Sequence, residues 1–309
     1  MKKKITMIVC ALLAVAIAAG VTFGVNGYAK RAEQTTAKSQ LELKTGVVTH
    51  KNKKSEIDAS NIAEGFVMVR WLGGGDKRIK VQIQNGDSTK YTYNLNNKGD
   101  FETFPLSDGD GEYSVKVFEN VADTKYAQAQ SVKLTVKLRD QFLPFLYSNQ
   151  YVNWTSDSEA AKKAAEITKS CKDDFEKVKA VFDYVTENIE YDYEFANKVK
   201  STKLSGYIPT VDTTMSTKKG ICLDYAALMC AQLRSQGIPC KLVVGYAGEV
   251  YHAWVNVYTD ETGWLTSLIY FDGENWTLMD PTFTSNADGD SSILQYISDG
   301  GNYTARYAY

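Results

Sequence analysis

The hydrophobic period of this chain changes twice along its length, and that limits what it can fold into. Between Phe66 and Leu138 apolar residues recur at alternate positions, as in Ile79-Lys80-Val81-Gln82-Ile83, Tyr91-Thr92-Tyr93-Asn94-Leu95 and Tyr113-Ser114-Val115-Lys116-Val117. Period two belongs to a strand with one buried face. Gly73-Gly74-Gly75-Asp76, Asn85-Gly86-Asp87 and Asn96-Asn97-Lys98-Gly99 break the runs as turns do. Beyond Asp157 the period becomes helical. Asp157 to Lys169 is Ala-rich, with Ser156 or Asp157 as its cap, and Phe175, Val178, Phe182, Val185 and Ile189 recur at spacings of three and four. After Gly237 and Pro239 strand-like runs return: Leu242 to Tyr246, His252 to Tyr258, Trp264 to Phe271 and Trp276 to Met279. No single layer accommodates both periods. The expected fold is α+β: a β-sandwich over residues 61–140, immunoglobulin-like or fibronectin-like, then a domain over residues 150–309 with helices first and a mainly antiparallel sheet after them. Another small β-barrel is the alternative for the first part.

The N-terminus reads as a targeting segment. Lys2, Lys3 and Lys4 precede an uncharged stretch from Ile5 to Ala29, and Gly27-Tyr28-Ala29 supplies small residues for cleavage before Lys30. Residues 1–29 are therefore expected to be a secretory signal, or else an uncleaved membrane anchor, since the stretch is long enough to span a bilayer. Val9 before Cys10 argues against a lipoprotein site. Residues 30–60, rich in Lys, Thr, Gln and Ser, read as a polar linker. Both readings place the remainder outside the cytoplasm, secreted or at the cell surface, with the membrane met only through the N-terminal segment.

Charge and cysteine usage exclude several classes. The formal charge is −2, and losing the three N-terminal lysines takes it to −5. Nucleic acid is thus not an expected partner, because binding phosphate needs a concentrated basic surface. Beyond the leader the cysteines are Cys171, Cys222, Cys230 and Cys240, too few for a disulfide scaffold. Without a Cys-x-x-Cys pair, and with 2 histidines in the chain, no zinc site is expected.

Three residues carry the chemistry. Cys222 opens the run Cys222-Leu223-Asp224-Tyr225-Ala226-Ala227-Leu228, the apparent start of a helix after Gly220. A thiol in a helix's first turn feels the positive end of the dipole, which favours the thiolate nucleophile. The N–H groups there can hold a tetrahedral oxyanion. His252 stands near the start of a strand-like run, and one face of that strand is expected to present its imidazole to the helix start. Asp280, before Pro281, is placed to hold the other ring nitrogen. Each residue alone has a plainer reading: a small buried thiol, a satisfied core histidine, a turn initiator. Their joint occurrence favours a nucleophile, a base and an orienter.

The run Gly220-Ile221-Cys222-Leu223-Asp224-Tyr225-Ala226, the tail Leu233-Arg234-Ser235-Gln236-Gly237-Ile238-Pro239, and then His252-Ala253-Trp254-Val255 and Asp280-Pro281-Thr282 resemble the three motifs of the transglutaminase-like superfamily. The resemblance covers about residues 150 to 309. It implies a papain-like core with a cysteine helix packed on an antiparallel sheet, Cys222 as nucleophile, His252 as base and Asp280 as orienter. Ser216 occupies the place, six residues before Cys222, where papain-like proteases carry an oxyanion glutamine. Tyr207, Tyr191 and Tyr193 are the hydroxyl candidates for that role. Animal members of the family often need calcium, but no acidic calcium loop occurs here, and no metal or cofactor is expected. The first domain resembles accessory domains of bacterial surface proteins.

The expected activity is extracellular, thiol-dependent acyl transfer on protein or peptide amides, with a substrate that is cell-surface or wall-associated. Cross-linking, deamidation and proteolysis all lie within that chemistry. The alternative is a non-catalytic surface module that binds protein or wall polymer.

Overall fold

The computed structural model describes residues 45–201, 206–260, 263–265, 269–271, 276–278 and 303–309. The leader, the first part of the linker and Asp280 lie outside the described residues.

The sheet-rich N-terminal part contains β1 (Thr49–Lys51), β2 (Ser55–Asp58), β3 (Phe66–Trp71), β4 (Ile79–Asn85), β5 (Tyr91–Leu95), β6 (Glu102–Pro105), β7 (Gly111–Ala122) and β8 (Lys125–Val136). They form two antiparallel four-stranded sheets with strand orders β1-β2-β3-β6 and β5-β4-β7-β8. The alternation seen in the sequence is the reason. Ile79, Val81 and Ile83 of β4 point inward with Tyr91, Tyr93 and Leu95 of β5 and with Tyr113, Val115 and Val117 of β7. From the other sheet Ile57, Val67, Val69, Trp71 and Phe104 complete the same apolar interior.

Strands β1 and β2 lie where composition alone reads linker. Ser55-Glu56-Ile57-Asp58 is polar in sequence yet wholly buried. Its polar groups are matched: Arg70 and Lys51 meet Glu56 at 2.7 and 3.2 Å, Ser55 bonds Gln130 at 2.5 Å, and Asp58 accepts the Gly46 and Ser60 N–H groups. A buried polar group is tolerated when it is paired, and that pairing is invisible in a window of sequence.

The second part begins with α1 (Glu159–Ile167), capped by Ser158, and α2 (Asp174–Asn188), capped by Asp173. Ser158 is one or two residues past the expected cap. On α2, Val178, Val181, Phe182 and Val185 are buried, while Phe175 is half-exposed. The stretch from Glu190 to Thr217 contains β9 (Glu190–Tyr191), α3 (Tyr193–Lys200) and α4 (Val211–Thr217). Asp192 caps α3 by accepting the Phe195 N–H at 2.8 Å, and Glu194–Lys198 staples it on the exposed side.

Next come β10 (Lys219–Gly220), parallel to β9, and α5 (Cys222–Ser235). The sheet follows, with β11 (Cys240–Ala247), β12 (Val250–Thr259), β13 (Gly263–Leu265) and β16 (Tyr303–Ala308) in the antiparallel order β13-β12-β11-β16. A separate hairpin joins β14 (Ile269–Phe271) to β15 (Trp276–Leu278). The α+β layout agrees with the sequence expectation.

Helix α5 is buried on all sides from Asp224 to Arg234. It packs against α1, α2 and α4 on one side and β11 and β12 on the other. Arg234, fully buried, closes it. Its guanidinium donates to the carbonyls of Cys240 at 2.8 Å, Tyr309 at 2.7 Å and Tyr147 at 2.8 Å. Helix, sheet and interdomain segment are thereby joined at one cation.

Arg234→Met retains much of the volume and removes all of those donors. The Tyr309 carbonyl keeps the Leu242 N–H at 3.0 Å, but the other two carbonyls lose this donor at about 1–3 kcal/mol each, so a loss of about 2 kcal/mol or more in unfolding free energy is expected by urea denaturation.

Candidate active site

The approach to α5 is held before the helix begins. Lys219 and Gly220 run beside Glu190 and Tyr191, and the Gly220 carbonyl accepts the Asp192 N–H at 2.9 Å. Ile221 is extended (φ −101°, ψ 177°) and caps the helix, so Cys222 is its first residue. The N–H groups of a first turn have no partner within the helix. Cys222 is a free, half-buried thiol with its inner side against the core.

Asp224 fixes this turn. Only 2% exposed, its carboxylate accepts the Ile221 N–H at 2.8 Å through one oxygen and the Tyr207 hydroxyl at 2.6 Å through the other. The first bond is half of a capping box. Gly220 is required by the same packing, because a Cβ there would stand 2.6 Å from Asp224 Cβ.

Tyr207 therefore turns its hydroxyl to Asp224 rather than offering it to an oxyanion. Burial first, and then that bond, push the phenol up. Tyr191 lies beside Gly220 in the β9–β10 ladder, its ring against Tyr193 and Tyr225. Tyr193 is exposed on α3. Of the two lysines just before the helix, Lys218 donates to the Tyr184 hydroxyl at 2.7 Å, and Lys219 meets Glu190 at 3.6 Å.

The position of His252 follows from lengths. Helix α5 has 14 residues and rises about 20 Å. It turns back through Gln236–Pro239 into β11. From Cys240 to Gly245 that strand rises about 17 Å. Cys222 thus comes level with Gly245, and Gly245 is paired with His252 on β12. The pleat then decides the faces. Cys240 Sγ reaches the Cys230 carbonyl on α5 at 3.4 Å, so Cys240, Leu242 and Val244, with their partners Val257, Val255 and Ala253, face the helix.

Tyr251 continues that alternation, and His252, 5% exposed, is held in β12 opposite Gly245. Asp280 lies outside the described residues.

The sequence reading did not single out the tyrosines around the sulfur. Burial first, then Tyr307, with Tyr246 and Cys222 adding and Arg306 opposing, pushes the Tyr251 phenol up. Tyr251 is 54% exposed, its ring is edge-on to Tyr246, and Arg306 lies over the Tyr246 ring. The signal was present in sequence as Tyr246 and Tyr251, each two residues from the Gly248-Glu249 turn that separates them, but only the register Tyr246↔Tyr251 makes them neighbours.

Residues 161–267 match the family described as the Transglutaminase-like superfamily. The chain is 30% identical over 151 residues to the Bacillus subtilis (strain 168) protein YebA, which is described as uncharacterized, covering 42% of this chain and 20% of YebA. It is 35% identical over 69 residues to a protein-glutamine gamma-glutamyltransferase of Pseudomonas aeruginosa, covering 18% of this chain and 10% of that enzyme. Among solved structures, red sea bream transglutaminase is similar at 13% identity and a TM-score of 0.29, covering 75% of this chain and 53% of that one. The chain spans a minor part of either curated relative.

Burial pushes the Asp224 carboxyl above 3.8, with the Tyr207 and Ile221 bonds opposing and Asp192 adding to the rise. The folded state then holds this proton to higher pH than the unfolded chain does. Stability on this account falls as pH rises from about 3.8 through the raised folded value, and the penalty is complete above it. Asp224→Asn is expected to abolish that segment of the profile, read as urea midpoints taken at steps from about pH 4 upward.

Proposed function

Starting from the membership of its cysteine-bearing part in the transglutaminase-like superfamily, we propose that this protein is a thiol-dependent acyl-transfer enzyme acting on protein or peptide amides outside the cytoplasm. The observation that carries the reading is the half-buried thiol of Cys222 at the first residue of a helix that is buried from Asp224 to Arg234.

Cys222 Sγ attacks the amide carbonyl. The C–S bond forms, the carbonyl oxygen becomes an oxyanion in reach of first-turn N–H groups, and the C–N bond breaks to leave a thioester. The amine departs with a proton from the imidazolium. His252 is assigned as the base because it lies level with Cys222, whereas the other histidine, His50, sits on β1 of the sheet-rich part. Asp280 is assigned as its orienter.

The acceptor decides the product. A lysine amine gives an isopeptide cross-link, and water gives deamidation or chain cleavage. The leader-like N-terminus supports a cell-surface protein substrate.

Wild-type protein is expected to take up a thiol-directed acyl probe at neutral pH, and Cys222→Ala to take up none. A wild type that resists labelling at Cys222 sinks the proposal. His252→Asn is expected to lower turnover by about a hundredfold to ten-thousandfold, the span of general acid–base catalysis, and unchanged turnover would remove His252 from the mechanism. Mass spectrometry of a glutamine peptide separates the outcomes: about 17 Da lost per cross-link as ammonia leaves, or about 1 Da gained on deamidation, through the shared acyl-enzyme.

A further inference from the structure

We infer that Tyr207 and Asp224 are positioning residues for Cys222, and that the sheet-rich domain holds them in place through Asn94. The inference rests on Cys222 being the nucleophile.

A continuous line of contacts runs from strand β5 to the sulfur-bearing turn. The Asn94 side chain bonds Lys80 on the neighbouring strand, and its backbone carbonyl accepts the Gln150 amide at 2.6 Å. Asn94 Nδ2 donates to the Gly206 carbonyl at 3.3 Å, 112 positions away in sequence. Gly206 has a φ of +86°, and a Cβ on it would lie 1.9 Å from Asn94 Nδ2. Left-handed backbone and close approach both require glycine there. Tyr207 follows at once. Its ring is edge-on to Phe195 of α3, and its hydroxyl reaches Asp224 at 2.6 Å. Asp224 in turn accepts the Ile221 N–H, one residue before the nucleophile.

Each link has a physical consequence. A buried carboxylate needs donors on both oxygens to stay put, and here one donor comes from the helix and the other from the loop. Loss of the Tyr207 donor leaves Asp224 with half of its anchorage. The extended geometry of Ile221 then loosens, and with it the direction of the first-turn N–H groups and of Cys222 Sγ. The charged and titratable groups around that turn are Asp224 and Asp192, Tyr251 and the proposed base His252 from β12, and Lys219 paired with Glu190 at the edge. With less hydrogen bonding to offset its charge, the Asp224 carboxylate disfavours a nearby thiolate more strongly. Asn94 touches none of these groups. It acts only by seating Gly206, and hence Tyr207.

The test is the second-order rate of Cys222 alkylation by iodoacetamide, followed by peptide mass spectrometry across a pH series in the full chain. Tyr207→Phe is expected to slow alkylation at pH 7 by about threefold to tenfold, the worth of one hydrogen bond, and to move the midpoint of the profile upward. Asn94→Ala is expected to move both in the same direction by less. The double variant is expected to match Tyr207→Phe alone, because the two side chains act in series. Profiles superimposable on wild type for both single variants overturn the inference, as do effects that add in the double variant. A change confined to melting temperature, with the alkylation profile unmoved, also overturns it. Should Tyr207→Phe fold poorly, Asn94→Ala, in the other domain, decides alone. Failure of the wild type to alkylate at Cys222 would instead strike the catalytic reading, so the two failures are told apart.

Discussion

A helix buried on every side must have both of its ends settled by the protein rather than by water. That constraint organises the second half of this molecule. At the far end of α5, Arg234 carries its charge into the interior, where the carbonyls of Cys240, Tyr309 and Tyr147 receive it. At the near end Asp224 closes the first turn on Ile221 with help from Tyr207. A charge of suitable sign sits at each end: carboxylate where the dipole is positive, guanidinium where it is negative. Cys222 and Leu223 stand at the helix start and are half-buried, while the helix from Asp224 to Arg234 is sealed.

The two parts of the chain are joined by more than a connecting segment. Tyr91 and Tyr93 of the sheet-rich part rest against Tyr309, and Tyr151 lies 4.4 Å from the same ring. The Tyr91 hydroxyl accepts the Ala308 N–H. Strand β16, the edge of the second sheet, is thus backed by the first domain, and Tyr307 and Arg306 on that strand belong to the surroundings of Tyr251. Aromatic rings supply area and a polar tip together, which suits a boundary that must pack on one side and reach solvent on the other. Asn94 adds a polar contact on the same strand as Tyr91 and Tyr93.

Much of this was legible in sequence. Alternation identified the faces of β4, β5 and β7 because each buries one side only, and Ile79, Val81 and Ile83 stand where period two puts them. The 3-and-4 spacing identified α2 for the corresponding reason. The gaps have causes as definite. Ser55–Asp58 escaped notice because its burial depends on Arg70, Lys51 and Gln130, partners distant in sequence. Helices α3 and α4 escaped because they are short and carry no long apolar stripe: α3 is held by its Asp192 cap and the Glu194–Lys198 pair, and α4 by packing on α5 and α1. Tyr207 was read as a donor to substrate since its residue type allows it, whereas the fold commits its hydroxyl to Asp224.

By itself the sequence determined the order of layers, the start of the cysteine helix at Gly220-Ile221-Cys222, and the small set of side chains able to do nucleophilic chemistry. These are properties of local pattern and residue type, which act over a few bonds. Tertiary structure decided which face of β12 meets α5, which groups flank the sulfur, and that the first domain reaches the active-site turn. Those depend on register and on contacts between residues as far apart as Asn94 and Gly206. Alternation states that two faces exist, and only packing against a third element says which of them looks inward.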